Sequence, residues 1–126
     1  MKNKFSKIAL SSTSQDESIL SIARQIFEIL SNVGVETLYD DNLSDLAEQI
    51  GKKSSSVEHI IQNADLLIAI GGDGTMLNCS QKYGSKGIPI LGINKYAKPT
   101  KMAKNKNLKH LLLLFFLKAE FAHFIY

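Results

Sequence analysis

Cysteine is nearly absent: Cys79 stands alone among 126 residues, which excludes an internal disulfide and fits a reducing cytosol. Nothing around Cys79 suggests a nucleophile, and a small residue on a helix reads as core. Long apolar runs are scarce too. Leu111 to Leu117 falls well short of the about 20 apolar residues that cross a bilayer, and Lys118, Glu120 and His123 break up the stretch beyond it. That run reads as a short amphipathic or buried helix, or as a hydrophobic segment without its partner that invites aggregation. A secretory signal is missing, because the basic start leads only into Ile8-Ala9-Leu10 before a polar Ser/Thr run. His59, His110 and His123 share no spacing and read as surface or tail residues, and no internal repeat is present. With 44% hydrophobic residues, the chain has enough for one domain with a modest core.

Charge divides the chain. Residues 1–94 carry eight Lys/Arg against eleven Asp/Glu, whereas residues 95–126 carry seven Lys against Glu120 alone. The overall charge of +3 is thus a property of the tail and says little about the partner of the folded part. Six Lys between Lys95 and Lys109 would suit nucleic acid or an anionic membrane, but also a solvated, disordered linker. The linker reading is preferred, so neither nucleic acid nor a membrane is expected as partner.

Before that seam, strand and helix patterns alternate. Lys7 to Leu10 reads as an opening strand. Ser14-Gln15-Asp16-Glu17 has capping-box form, and Ile19, Ile22, Ala23, Ile26, Phe27 and Leu30 come next at helical spacing until Gly34 ends the pattern. Val35 to Tyr39 is a short strand and Asp40-Asp41-Asn42 a turn. Asp40 and Asp41 read as turn residues in preference to metal ligands. Leu43, Leu46, Ala47 and Ile50 make a weaker helix that stops at Gly51, and Lys52 to Ser56 is a polar loop. Val57, Ile60, Ile61 and Ala64 form a further helical stretch before Leu66 to Ile70, whose continuous apolar run suits a strand covered on both faces. A helix from Thr75 to Tyr83 closes at Gly84, and Pro89 starts a strand reaching Gly92. The fold class expected is α/β: a Rossmann-like open parallel sheet with helices on both faces, in an incomplete domain. Ligands in such sheets sit outside the carboxyl ends of the strands, which places Gly71–Gly74, Asp40, Asp41 and Asn94 on one rim.

The chemistry-bearing stretch is Leu66-Leu67-Ile68-Ala69-Ile70-Gly71-Gly72-Asp73-Gly74-Thr75, an apolar strand that empties into three glycines around one carboxylate. Without Cβ atoms, Gly71, Gly72 and Gly74 can take positive φ and bring their amides close to a bulky anion, while Thr75 can cap the next helix. A carboxylate repels phosphate, so Asp73 in such a cradle suggests a base for a hydroxyl nucleophile or a handle for a metal ion. The same residues also suit a tight strand-to-helix turn in which Asp73 bonds its own backbone. The pattern is neither GxGxxG nor a Walker loop, since no Lys comes after the last glycine.

The flanks resemble one family, the NAD kinases. Its bacterial members look like this chain in the opening strand Lys7-Ile8-Ala9-Leu10, the long helix and the strand Gly34-Val35-Glu36-Thr37-Leu38. The likeness continues through Ala64-Asp65-Leu66, GGDGT with Met76-Leu77, and Ile88-Pro89-Ile90-Leu91-Gly92-Ile93-Asn94. It covers roughly residues 5–94. Phosphofructokinases and diacylglycerol-kinase-like enzymes share GGDGT, but their next segments do not match Gly92-Ile93-Asn94. After Asn94 the family continues with a segment like Arg-x-Gly-x-Leu-Gly-Phe-Leu-Thr-Asp, then Asn-Glu and Thr-Pro-x-Gly-Ser-Thr-Ala-Tyr. Here Lys95-Tyr96-Ala97-Lys98-Pro99 and an unrelated tail stand instead. The expected organisation is a NAD kinase-like domain over 1–94 and a divergent tail over 95–126, as a truncation or frameshift would produce.

The resemblance implies phosphoryl transfer from ATP, or inorganic polyphosphate in some members, to the adenosine 2′-hydroxyl of NAD, giving NADP. It implies Asp73 as general base, and Gly71, Gly72, Gly74 and Thr75 around the phosphates. Asn78 matches a position that touches ligand in some members. Asn94 could orient a ribose or phosphate, or bond a loop backbone. Mg²⁺ or another divalent cation, a homo-oligomer in complete members and a cytoplasmic location are implied as well. No residue is assigned as a metal ligand. Because the family's second half holds most of the NAD, the chain alone is expected to be inactive; a nucleotide-binding module without catalysis is the alternative.

Overall fold

The structure is a computed structural model that describes residues 6–94. The basic run Lys95 to Lys109 and the apolar run Leu111 to Leu117 lie outside the described residues. Four strands, β1 (Lys7–Ser11), β2 (Glu36–Tyr39), β3 (Leu66–Gly71) and β4 (Ile90–Asn94), alternate with helices α1 (Glu17–Asn32), α2 (Ser44–Gln49), α3 (Val57–Asn63) and α4 (Asp73–Tyr83). Short 3₁₀ turns lie before α2 (Asp41–Leu43) and after α4 (Gly84–Lys86). The strands form one sheet in the order β2-β1-β3-β4. Every pairing is parallel, with Ala9 opposite Leu38 and Leu67, and Ile70 opposite Ile93. The expected α/β class with a parallel sheet is thus what the chain forms.

Alternation along the strands sends side chains to two cores. Ile8 and Leu10 of β1, Leu66, Ile68 and Ile70 of β3, and Leu91 and Ile93 of β4 pack with α1 and α2. Ala9, Leu67, Ala69 and Ile90 face the other way, onto Ile60 of α3 and Cys79 and Tyr83 of α4. Helices therefore cover both faces, and all six residues of β3 are buried. Cys79 is core, as its size suggested.

Local chemistry sets the boundaries. α1 buries Ile19, Ala23, Ile26 and Leu30 along one stripe. Its N-cap is Asp16, which accepts from the Ile19 amide at 3.0 Å, and not the Ser14 of the expected capping box. Ser14 lies further out, accepting from the Asp16 amide at 3.1 Å. At the other end Gly34, with φ 80°, lets the Val35 amide reach back to the Leu30 carbonyl at 2.9 Å, a Schellman closure. α4 ends where expected, at Tyr83 with Gly84 as C-cap, and differs from expectation at its start. It starts at Asp73 with Gly72 as N-cap, so Thr75 sits inside the first turn and is not the cap. Gly84 remains right-handed, and the reversal comes at Gly87, φ 86°.

Ile68 lies at the centre of the sheet with no exposed surface. Ile68→Ala is expected to destabilise the fold by about 2–5 kcal/mol through lost burial and a residual cavity. Urea unfolding monitored by circular dichroism measures this, and a loss below about 1 kcal/mol would contradict the central placement of β3.

Candidate functional site

The strand order locates the crevice. From β1 the chain crosses to β2 on one side, then returns past β1 to place β3 and β4 on the other. The carboxyl ends of β1 and β3 therefore lie side by side where the winding reverses, the place at which open α/β sheets bind ligands. Gly71 to Gly74 extend from one of these ends and Ser12 to Ser14 from the other. Asn94, at the end of β4, pairs in register with Gly71, so the strand ends carry it to the same rim. Asn78 lies one turn further down α4, half-buried. Asp40 and Asp41 come after β2, which β1 separates from β3. They lie at the same edge of the sheet, with the end of β1 between them and the glycine turn.

Within the turn the three glycines differ. Only Gly71 has unusual backbone geometry, φ 154°, and a Cβ there would come within 2.8 Å of the Thr75 Cβ. Gly72 is extended, φ −104° and ψ −163°, and does not use the positive φ open to glycine. Gly74 is exposed and helical, with nothing within 4 Å of an added Cβ. Glycine at such a position lowers helix stability relative to alanine by up to about 1 kcal/mol, and no packing among the described residues requires it. The turn also leaves α4 without a side-chain cap. The amides of Thr75 and Met76 both turn back to the Gly72 carbonyl, at 3.1 and 3.2 Å. The first-turn amides ahead of them have no intrahelical acceptor, and they coincide with the positive end of the helix dipole. A glycine-lined, uncapped N-terminus at a switch point has the chemistry of an anion site.

One face of α4 is tied to the ends of β1 and β2 by polar contacts. Thr75 Oγ1 and Thr13 Oγ1 are 2.7 Å apart. Cys79 Sγ donates to Ser11 Oγ at 3.4 Å, and Ser11 in turn donates to Asp40. Lys82 Nζ lies 3.9 Å from Asp40 Oδ2. Asp40 is 2% exposed; it caps the turn after β2 through the Asn42 amide at 3.1 Å, as a turn residue should, and also anchors this buried chain. Asn42 Nδ2 donates to the Ser12 carbonyl at 2.7 Å, fixing the loop after β1. Burial pushes the Asp40 pKa up, against the lowering effects of Ser11, Lys82 and the Asn42 amide. The buried Tyr83 hydroxyl has no hydrogen-bond partner among the described residues. Burial first, and the Asp40 charge second, raise its pKa.

Thr13, Ser11, Asn42, Lys82 and Tyr83 were not singled out by the sequence. Thr13 had one signal, its place in a hydroxyl run directly after a strand; the others touch partners far away in the chain. Among the described residues no three His, Cys, Asp or Glu side chains converge to hold a metal ion. A groove of about 310 Å³ between α1 and Gln49 of α2 is lined by Glu17, Ser21, Arg24 and Glu28, and none of its lining residues comes from a strand end.

Gly71→Ala is expected to cost about 1–3 kcal/mol through overpacking against Thr75, whereas Gly74→Ala should leave stability unchanged or raise it by up to about 1 kcal/mol. Chemical unfolding of the two variants side by side checks this; equal losses would contradict the assignment. Asp40 gives a pH signature. Its folded pKa lies above the ordinary 3.8, so its contribution is fully present below that value and is lost as pH rises through the folded pKa. Wild type should therefore gain stability relative to Asp40→Asn as pH falls from 7 towards 4. A gain in the opposite direction would contradict the buried placement.

Comparison with known proteins gives one family. The model of the ATP-NAD kinase N-terminal domain matches residues 8–98. A NAD kinase of Acidithiobacillus ferrooxidans is 35% identical over 95 residues, covering 75% of this chain and 32% of that protein. The NAD kinase of a Geobacter species is 34% identical over 89 residues, covering 70% of this chain and 31% of its own length. That of Nitrosomonas eutropha is 36% identical over 93 residues, covering 71% and 30%. The chain thus spans about a third of the length of these curated relatives. Its parallel sheet, its glycine turn at the switch point and this match over most of the chain agree: it belongs to the ATP-NAD kinase family, through that family's N-terminal domain.

Proposed function

We propose that this chain forms the phosphate-handling part of a NAD kinase, which moves the terminal phosphoryl group of ATP onto the adenosine 2′-hydroxyl of NAD to give NADP and ADP. The observation that carries the reading is the uncapped N-terminus of α4, reached through Gly71 and Gly72 and bordered by Gly74, at the strand reversal. Gly74 has no packing role among the described residues, and its missing side chain leaves room for an approaching ligand. Asp73, the first residue of α4, is the residue assigned to take the proton of the attacking hydroxyl. An aspartate with a pKa near 4 is a weak base for an alcohol. Most of the acceleration must then come from alignment of the two substrates and from stabilisation of charge on the transferring phosphoryl group. Thr75 supports the turn from below, and Asn78 and Asn94 stand at its margins as further nucleotide contacts.

A divalent cation fits this reading as a companion of the nucleotide phosphates, since the described residues supply no cage of their own. When bound with ATP it neutralises phosphate charge. Most contacts to NAD are assigned to the second part of the family's proteins, and a homo-oligomer is assigned on the same ground. The single thiol, buried at Cys79, supports a reducing, cytoplasmic setting.

Fusing residues 1–94 to the second portion of a homologous NAD kinase tests the reading. The chimera should make NADP from NAD and ATP with Mg²⁺. Asp73→Asn in it should lower turnover by about 10² to 10⁴, the range for losing a general base, with a much smaller change in NAD affinity. Equal losses in binding and rate would contradict the assignment of Asp73 as base, and so would an unchanged rate.

A further inference from the structure

We propose that Asp40 selects, by gaining or losing one proton, between two neighbours on the last turn of α4: as a carboxylate it holds the Lys82 ammonium, and as an acid it donates a hydrogen bond to the Tyr83 hydroxyl. The seating of α4 is what changes, whatever the glycine turn at the other end of that helix binds.

Asp40 follows β2 and is almost fully buried. Its fixed partners come from outside α4. Oδ1 accepts from the Asn42 amide at 3.1 Å, and Oδ2 from the Ser11 hydroxyl, which itself accepts from the Cys79 thiol at 3.4 Å. A carboxyl group keeps acceptor capacity when it is protonated, so both bonds survive the change.

The two α4 neighbours respond differently. Lys82 Nζ is partly exposed, 3.9 Å from Asp40 Oδ2 and 5.7 Å from the centre of the Tyr83 ring. A separation of 3.9 Å is beyond hydrogen-bond reach, so this tie is between charges and ends when Asp40 is neutral. The Tyr83 hydroxyl is buried beside Asp40 and has no hydrogen-bond partner among the described residues. A buried hydroxyl left unpaired is costly, and the acid form of Asp40 supplies the donor it lacks. The proton is taken from solvent, and no other bond to Asp40 breaks. Lys82 and Tyr83 are successive residues, about 100° apart around the helix. Passing the Asp40 contact from one to the other therefore turns the last turn of α4 against the sheet. The remaining titratable groups facing Asp40 are Cys79 of α4, whose thiol burial keeps neutral, and Asp41 on its own turn, whose charge favours uptake of the proton.

NMR of the isotope-labelled full chain, titrated from pH 7 to 4, tests this. The Asp40 carboxyl carbon, Tyr83 Cζ and Lys82 Nζ signals should change together with one midpoint above the ordinary 3.8, and Asp40→Asn should abolish the change at both α4 residues. Tyr83→Phe removes the acceptor and should lower the proton affinity of Asp40, by up to about tenfold for one hydrogen bond. Lys82→Met removes the ammonium and should raise that affinity, by roughly twofold to fivefold at a partly exposed position, while Tyr83 Cζ still follows Asp40. A midpoint that rises in Tyr83→Phe would overturn the proposal, because the hydroxyl would then be donating to the carboxylate. So would midpoints that move the same way in both variants, α4 signals that still titrate in Asp40→Asn, or a Tyr83 Cζ that ceases to follow Asp40 in Lys82→Met. The last of these decides the matter even where Tyr83→Phe does not fold.

Discussion

The site depends on the contact between Gly71 and Thr75. The chain passes from a buried strand into a helix with a single residue, Gly72, between them, and Thr75 folds back over the strand end. Any side chain at residue 71 would occupy the volume of the Thr75 side chain. The tight approach in turn brings the first turn of α4 to the rim of the sheet. A second close approach lies one strand over, where the Met76 thioether fills the space a Cβ at Gly92 would take. Two glycines on neighbouring strands thus seat successive helical residues, Thr75 and Met76. α4 is located by what those positions lack.

The two faces of the sheet are built for different purposes. Towards α1 and α2 the strands present large side chains, Ile8, Leu10, Leu66, Ile68 and Ile70, and the helix stripe answers with Ile19, Ile26 and Leu30. Towards α3 and α4 they present Ala9 and Ala69 beside Leu67 and Ile90, with Ser11 at the strand end, and α4 answers with Cys79 and Tyr83. Small side chains let the α4 backbone lie close, and polar groups then fix its rotation through Thr13, Ser11 and Asp40. A buried carboxylate is a costly anchor unless it is hydrogen-bonded. Asp40 meets that condition with Ser11 and the Asn42 amide, and keeps Lys82 at 3.9 Å.

The elements were legible because they arise from local pattern. The stripe Ile19, Ala23, Ile26 and Leu30, the unbroken run Leu66 to Ile70 and the stop at Gly34 are short-range signals, and each lies where periodicity placed it. The glycine-rich passage from strand to helix was legible for the same reason. Cap identities were not: Ser14 and Asp16 are both good caps, and the hydrophobic phase of the helix alone does not decide between them. The role of Thr75 was misread because capping is a local expectation, whereas its partner Thr13 lies 62 residues away. Asp40 looked like a turn residue, and is one; its burial against α4 depends on strand order, which a sequence of alternating strands and helices leaves open.

The central claim is that the uncapped first turn of α4 receives phosphate. Amide chemical shifts of the isotope-labelled chain, recorded during titration with ATP, test it most directly. The account predicts that the amides of residues 72–74, ahead of the first intrahelical bonds, shift most, while those around the groove between α1 and Gln49 stay in place. Saturable shifts centred on that groove, with the turn unmoved, would contradict it.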